Sequence, residues 1–432
     1  MVAASLVISA PSSGAAKNTC RAKNLTQGTP SRSNLQAVIN AAHPGDRISV
    51  KGVCVGTFVI DNDLSLVGRQ TPDGPRPTLS GRGSLGRVVD VTARVTLTNL
   101  RITGGTNSTS NDPGGGIRVG EGSTLTLNRS VVRGNKAATG AGGIDNYGRL
   151  VLNGSSVIRN KSGGVVNRGS MVMNGSSSVR GNTEGGIANV GSLILNDRSS
   201  VRRNSGAFGG GIAVLGSFFG PEEEGTLRMN DSSSVRGNQS NEGGGIFIDK
   251  GIVTMNDASS VSGNSVAERD EGGGIHIRGS SDPGILIMRH SSSVSGNSAD
   301  SGGGIYTERG IIILRHSSSV SENVASFGAG VRLENSSLTM SESSSVSGNT
   351  AGILGGGIYV NNGTASPAGS VTLKDASQVY DNAAVTGGGI YVNDDGTVSA
   401  CDATSVDEWI GTVEPNDPND FLDSDVSLIS CA

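Results

Sequence analysis

A short pattern, V-x-x-N, returns ten times between Val132 and Asn382, most often inside SSSVSGN or SSSVRGN. Its asparagines are Asn135, Asn160, Asn182, Asn204, Asn238, Asn264, Asn297, Asn323, Asn349 and Asn382, with successive spacings of 25, 22, 22, 34, 26, 33, 26, 26 and 33 residues. A second signature, GG[GA][IV], alternates with it, as in Gly243-Gly244-Gly245-Ile246 and Gly387-Gly388-Gly389-Ile390. Between them sits a short L-x-L or L-x-M strand such as Leu227-Arg228-Met229. A period of 22–26 residues holding three short strands predicts a chain that winds once around a flattened tube per repeat. Like strands then stack in parallel, about 4.8 Å apart. The fold class expected is all-β: a right-handed parallel β-helix, with insertions at 218–225, 279–284 and 363–369 accounting for long spacings.

Composition fits this reading. Only 34% of the 432 residues are hydrophobic and 3% aromatic, while 68 are Gly, too lean for several ordinary packed globules. A thin aliphatic core shared between coils needs few rings. Each recurring residue type has a job. Corner glycines permit positive φ and close backbone approach. The V-x-x-N asparagine is expected to point inward and to bond the asparagines above and below.

Four segments are expected. Residues 1–16 are small and apolar, a signal-like or disordered stretch. Residues 17–113 form an N-terminal cap and the first coils, residues 114–393 the regular repeats, and residues 394–432 an acidic cap. In the first cap, Leu35, Val38, Ile39 and Ala42 have helical spacing after Ser33, a suitable N-cap. Strands are expected at 47–55, 57–67, 87–91 and 95–102. No Lys or Arg follows Lys374, and Trp409 and Phe421 lie in the acidic tail. The four cysteines allow three pairings. Cys20–Cys54 and Cys401–Cys431 are favoured because each pair belongs to one end of the rod. Paired cysteines suggest an oxidising, secreted or cell-surface setting. The net charge of −4 gives no basic excess for nucleic acid, and no apolar run is long enough for a membrane span.

The alternation over residues 114–392 resembles the paired FxxN and GGA[ILV] repeats of polymorphic outer-membrane proteins, β-helical passengers of surface adhesins. Val stands here where that family has Phe, and no barrel segment follows in this sequence, which sets an autotransporter reading aside. The opening from Cys20 through NLQAVINAAHPGDRISVKGVCVGTFVIDNDLSLVG is similar to the start of secreted bacterial proteins of the pectin-lyase-like β-helix superfamily. That superfamily contains polysaccharide lyases, glycosidases and non-catalytic adhesins, so the resemblance implies a fold without choosing an activity.

In a parallel stack, equivalent residues form columns. The column after the GGG corner reads Phe247, His276, Tyr306, Arg332, Tyr359 and Tyr391. Rings spaced along a groove suit the apolar faces of sugars, and good ladder packing explains the same pattern. The next outward position reads Asp249, Arg278, Glu308, Glu334, Asn361 and Asn393. A second column carries Arg180, Arg202 and Arg236, followed by Ser262, Ser295, Ser321 and Ser347. It suits an anion such as an acidic polysaccharide, or guanidiniums paired with Glu222, Glu223 and Glu224. A third, flat Ser/Thr/Ile face includes Ile252/Thr254, Ile285/Ile287, Ile311/Ile313, Ser337/Thr339 and Ser370/Thr372, and offers self-association or docking on a repetitive surface.

No clustered aspartates, calcium cage, HExxH, CxxC or GxSxG stands in the chain. The residual catalytic candidates are His276, Tyr306, Glu308 and Glu334, with Glu308 and Glu334 one coil apart like a retaining-glycosidase pair. His290 and His316 repeat one surface position. No cofactor or metal is expected. The reading is a secreted, adhesin-like β-helix that binds glycan through Phe247, His276, Tyr306, Tyr359, Tyr391 and the three arginines, or associates with itself. The rivals are a polysaccharide lyase or glycosidase, and a structural rod.

Overall fold

The structure is a computed structural model that describes residues 18–401, except 71–73, 83–85, 109–113, 217–223, 268–269, 280–281, 362–367 and 394–395. It is a parallel β-helix. One coil runs from a GGG strand (Ile246–Asp249) to an L-x-L strand (Ile252–Met255), then to a V-x-x-N strand (Ser260–Ser262) and onward to the next GGG strand (Ile275–Arg278). Like strands pair in parallel with their counterparts one coil above and below. This generates 13-stranded GGG and V-x-x-N sheets and a 15-stranded L-x-L sheet, whose first strand, Arg21–Asn24, joins antiparallel from the N-terminal cap.

Alternation within each strand sends one residue set inward. In the coil above, Ile246, Ile248, Val253, Met255, Val261 and Asn264 are at most 1% exposed. The interior is therefore a continuous aliphatic column with a polar seam where the chain turns after the V-x-x-N strand. Along that seam, from Asn160 onward, each asparagine Oδ1 accepts from both the backbone N–H and the Nδ2 of its neighbour, as Asn264 does from Asn238 at 2.9 and 3.0 Å. Each of these Nδ2 groups also donates to a valine carbonyl of the preceding coil, Val235 for Asn264 at 3.1 Å, and Asn135 at the head of the ladder donates to Ile102 O. Asn238, Asn264 and Asn297 lie on this one axis, as the repeat requires. A shorter ladder that the pattern did not announce joins Asn146, Asn167 and Asn189 at the end of the GGG strand.

Two positions of the triplet explain why glycine recurs there, the last of them in every repeat. Gly243 adopts φ +60°, and a Cβ on Gly245 would lie 2.6 Å from the Gly274 carbonyl oxygen and 2.8 Å from Asn264 Nδ2. The first admits the turn; the second lets backbones and the asparagine seam close on one another.

The N-terminal end is covered by helix Leu35–Asn40, which buries Leu35, Val38 and Ile39. Its N-cap is Asn34 rather than Ser33: the Asn34 side chain accepts from the Ala37 N–H at 3.1 Å. Strand Arg21–Asn24 pairs antiparallel with Asp46–Lys51, and the Cys20–Cys54 disulfide ties this cap to the first coil. The first coils also contain Thr78–Ser80, a strand the pattern reading passed over. The Cys401–Cys431 pairing, Trp409, Phe421 and the acidic tail lie outside the described residues. Among the described residues, no helix is long and apolar enough to cross a membrane.

Candidate functional site

The expected register of the GGG column is present. Phe247 pairs with His276, His276 with Tyr306, Tyr306 with Arg332, Arg332 with Tyr359, and Tyr359 with Tyr391. All face away from the tube interior, yet the rings are not offered to solvent. Phe247, His276, Tyr306 and Tyr359 are buried, at 1, 3, 3 and 7% exposure, and only Tyr391 is half-open. The expectation of exposed ring faces is corrected there. The cause is the segment between each V-x-x-N turn and the next triplet. It folds against the column, so that a Cβ on Gly272, Gly302 or Gly355 would meet the Cβ of His276, Tyr306 or Tyr359 at 2.6 Å.

The rings pack on one another as a tilted stack. Centroids lie 5.3 Å apart for Phe247–His276, 4.9 Å for His276–Tyr306 and 5.3 Å for Tyr359–Tyr391. Arg332 fills the gap in this spine, its guanidinium 5.7 Å from the Tyr306 ring centre and 5.2 Å from that of Tyr359.

The segment beside the spine contributes a column of its own, the residue immediately before each glycine triplet. Phe208 bridges to Glu242, Glu271 to Ser301, and Ser301 to Phe327. Pattern reading missed these residues, and they change the electrostatics. Tyr306 Oη donates to Glu334 Oε2 at 2.5 Å. Glu334 Oε1 accepts from Arg332 Nη2 at 2.8 Å and from Asn361 Nδ2 at 2.9 Å. Burial pushes Glu334 up, but the Tyr306 hydroxyl and Arg332 prevail and hold its carboxyl below the usual range. Glu271 faces the same hydroxyl, and burial together with the Glu334 charge holds it above the usual range. His276 is depressed to about 4 by burial and by Arg278. Burial and the bond to Glu334 raise the Tyr306 phenol. Glu308 is the register partner of Glu334 one coil away, as expected, but its side chain is half-exposed and 3.7 Å from Arg309. The carboxylate coupled to Glu334 is thus Glu271, not Glu308.

At Phe247 the spine ends. The preceding coils carry Ala213, Ala188 and Val166 at the same position. Loss of the rings opens a cleft of about 750 Å³ lined by Phe208, Ala213, Leu215, Phe247, Asp249 and Arg278, with Glu184 and Ser205–Ala207 on the far wall. Phe208 is 49% exposed on its margin. Arg278 Nη2 donates to Asp249 Oδ2 at 3.0 Å, and its guanidinium lies 4.9 Å from the Phe247 ring centre. The small-residue floor ends on the other side in a matching group. Arg168 grips buried Asp145 at 2.5 Å and lies 4.9 Å from the Tyr147 ring centre. Four coil steps separate Asp145 from Phe247, roughly 19 Å. The cleft is therefore a trough at the Phe247 end of this run of small residues, and a ring, an arginine and a carboxylate stand at each end of the run.

The other columns also hold register. Arg180, Arg202 and Arg236 are neighbours on the V-x-x-N sheet. Glu224 pairs through its backbone with Gly216, at a different corner, and Glu222 and Glu223 lie outside the described residues. On the L-x-L sheet, Thr254, Ile287, Ile313, Thr339 and Thr372 align, but exposed Arg228 precedes Thr254 and interrupts the flat face. His290 and His316 stack at 4.7 Å, half-exposed. Among the described residues, no group of three or more His, Cys, Asp or Glu is placed to hold a metal ion. No protein family, curated protein or solved structure with which the chain was compared matches it.

Proposed function

We propose that this chain is an extracellular, non-catalytic β-helix that binds a polysaccharide strand in the trough of the GGG sheet. The observation that carries the reading is the end of the ring spine. Where Phe247 gives way to Ala213, the same column that is filled in later coils becomes an open recess with an accessible Phe208 ring and an Arg278–Asp249 pair on its rim. An apolar floor with a few convergent polar groups suits a sugar, which is apolar on its ring face and polar at its edge. The Cys20–Cys54 disulfide supports an extracellular setting. A remote place in the pectin-lyase-like superfamily agrees with this reading.

The test is a polysaccharide panel scored for both binding and cleavage. Ala213→Phe extends the spine by one ring and fills the recess; Phe208→Ala removes the platform. Each is expected to weaken saturable binding about tenfold or more, equivalent to about 1.4 kcal/mol, with the melting temperature held. Binding unchanged in both variants refutes the assignment.

One observation favours a second reading, a glycosidase or lyase. Glu271 and Glu334 are displaced in opposite directions around one tyrosine, as in acid–base pairs. Release of reducing or unsaturated ends by the wild type, abolished in Glu271→Gln, decides for it.

A further inference from the structure

The arginines of the molecule fall into two classes. On the GGG sheet three arginines are neutralised: Arg168 by Asp145, Arg278 by Asp249, Arg332 by Glu334. On the V-x-x-N sheet, Arg180, Arg202 and Arg236 occupy one outward position of three successive coils, about 4.8 Å apart. Among the described residues no carboxylate acts on the middle one, Arg202. Burial and then the charges of Arg180, Arg236 and Arg203 weaken its hold on a proton. Its Nε is buried and makes no hydrogen bond. Exposed Arg159 and Arg203 stand at the adjoining turn, where they pack beside Gly181 and Gly237.

The fold does not require this arrangement. From Arg236 the same column continues as Ser262, Ser295, Ser321 and Ser347 with the ladder unbroken. Three stacked like charges are a cost that serine avoids at the same site. The serines at Ser178, Ser200 and Ser234 on the same strands add a parallel row of hydroxyls two residues away.

The geometry points to a second binding site: the arginine column of the V-x-x-N sheet, with Arg159 and Arg203 beside it, binds an acidic polysaccharide laid along the stack axis. A polymer with an anionic group recurring at about the coil rise meets one guanidinium per coil, and a guanidinium fork receives carboxylate or sulfate oxygens in pairs. A nucleic acid fits less well, because no aromatic side chain stands beside the three arginines in this column or in the serine row to stack a base; the ring of the column, Tyr380, lies five coil steps beyond Arg236. The site lies on a different sheet from the trough and stands without it.

The experiment compares the full chain with Arg180→Ser/Arg202→Ser/Arg236→Ser, which installs the residue that later coils already carry. A charge-matched control, Arg149→Ser/Arg228→Ser/Arg315→Ser, changes surface arginines elsewhere. Binding to polygalacturonate, dextran sulfate, neutral dextran and single-stranded DNA is titrated at several salt concentrations. Wild type and control are expected to bind the two acidic polysaccharides with a salt-dependent affinity, and the column variant roughly tenfold or more weakly with a shallower salt slope. Circular dichroism and melting of the variant confirm its fold. Equal loss in column variant and control reduces the effect to net charge and overturns the assignment. So does preference for DNA over both acidic polysaccharides, or absence of binding to either by the wild type at low salt. Neutral-glycan binding in the trough is expected to persist in the column variant, so failure of one site leaves the other readable.

Discussion

Replacing Asn264 by Ala tests the seam on which every column depends. The side chain accepts from Asn238 N–H at 2.9 Å and Asn238 Nδ2 at 3.0 Å, and donates to Val235 O at 3.1 Å and Asn297 Oδ1 at 3.0 Å. After truncation the neighbours fare differently. Asn238 Nδ2 keeps Val201 O, and Asn297 Oδ1 keeps the backbone N–H of residue 264. The buried N–H of Asn238 loses its side-chain acceptor, which costs about 1–3 kcal/mol. The three other lost bonds contribute about 0.5–1 kcal/mol each, which brings the total to about 2.5–6 kcal/mol. The measurement is denaturant unfolding followed by two probes, because solenoids do not always unfold as one unit, with hydrogen exchange to locate the opened coils. Amides of residues 235–264 are expected to lose protection first. Asn382 makes fewer such bonds, accepting from Asn349 and donating to Val346 O, so Asn382→Ala is expected to cost about 1 kcal/mol less. A loss under about 1 kcal/mol for Asn264→Ala, with an unchanged denaturant slope, refutes the claim that the ladder holds the turns.

Two further outcomes follow from named groups. His276 is depressed from 6.5 to about 4, so the unfolded chain takes up a proton first as pH falls. Its contribution to stability is complete above pH 6.5 and is lost between there and about pH 4, up to about 3 kcal/mol; His276→Phe, matching the ring one coil away, should flatten that part of the stability–pH curve. Cys20→Ser/Cys54→Ser opens a link spanning 34 residues and should cost about 3–4 kcal/mol, read as loss of exchange protection around Arg21–Asn24 and helix Leu35–Asn40 with the central coils unaffected.

The sequence made the architecture legible because its period is physical. Val at V-x-x-N and the paired leucines or methionines fall inward once per coil, and the asparagine that follows must find partners in a dry turn. Register followed from this, and the columns of Phe247, Arg180 and Ile287 fell where alternation placed them. Burial did not follow. Direction away from the tube does not entail exposure, and the segment before each triplet, whose spacing varies, offers no period to read. Two signals were available. The residue preceding each triplet, from Phe208 and Glu242 to Thr386, is itself a column. Each ring also stands four positions after a positive-φ glycine, as Tyr306 does after Gly302 at φ +60°. Glu271 was therefore invisible as a partner of Tyr306, and Ala213 was invisible as the place where the spine ends.

The charged knot around Tyr306 decides how the ring spine should be understood. Two acids, Glu271 and Glu334, face one arginine in a layer that is otherwise aromatic. Two full negative charges there would repel, and burial gives them little solvent to spread into. The structure separates them. Glu334 collects Tyr306, Arg332 and Asn361 and is held below the usual carboxylate range, while burial and the Glu334 charge hold Glu271 above it. A catalytic base or nucleophile needs a lone pair free to meet substrate. Glu334 has both oxygens engaged, and Tyr306, which links the acids, is 3% exposed. The same arrangement that shifts the acids apart also withdraws them from a ligand. It reads as a packed charged rung that lets Arg332 take a ring's place, and it leaves the open trough, where Ala213 replaces the ring, as the accessible recess on this face.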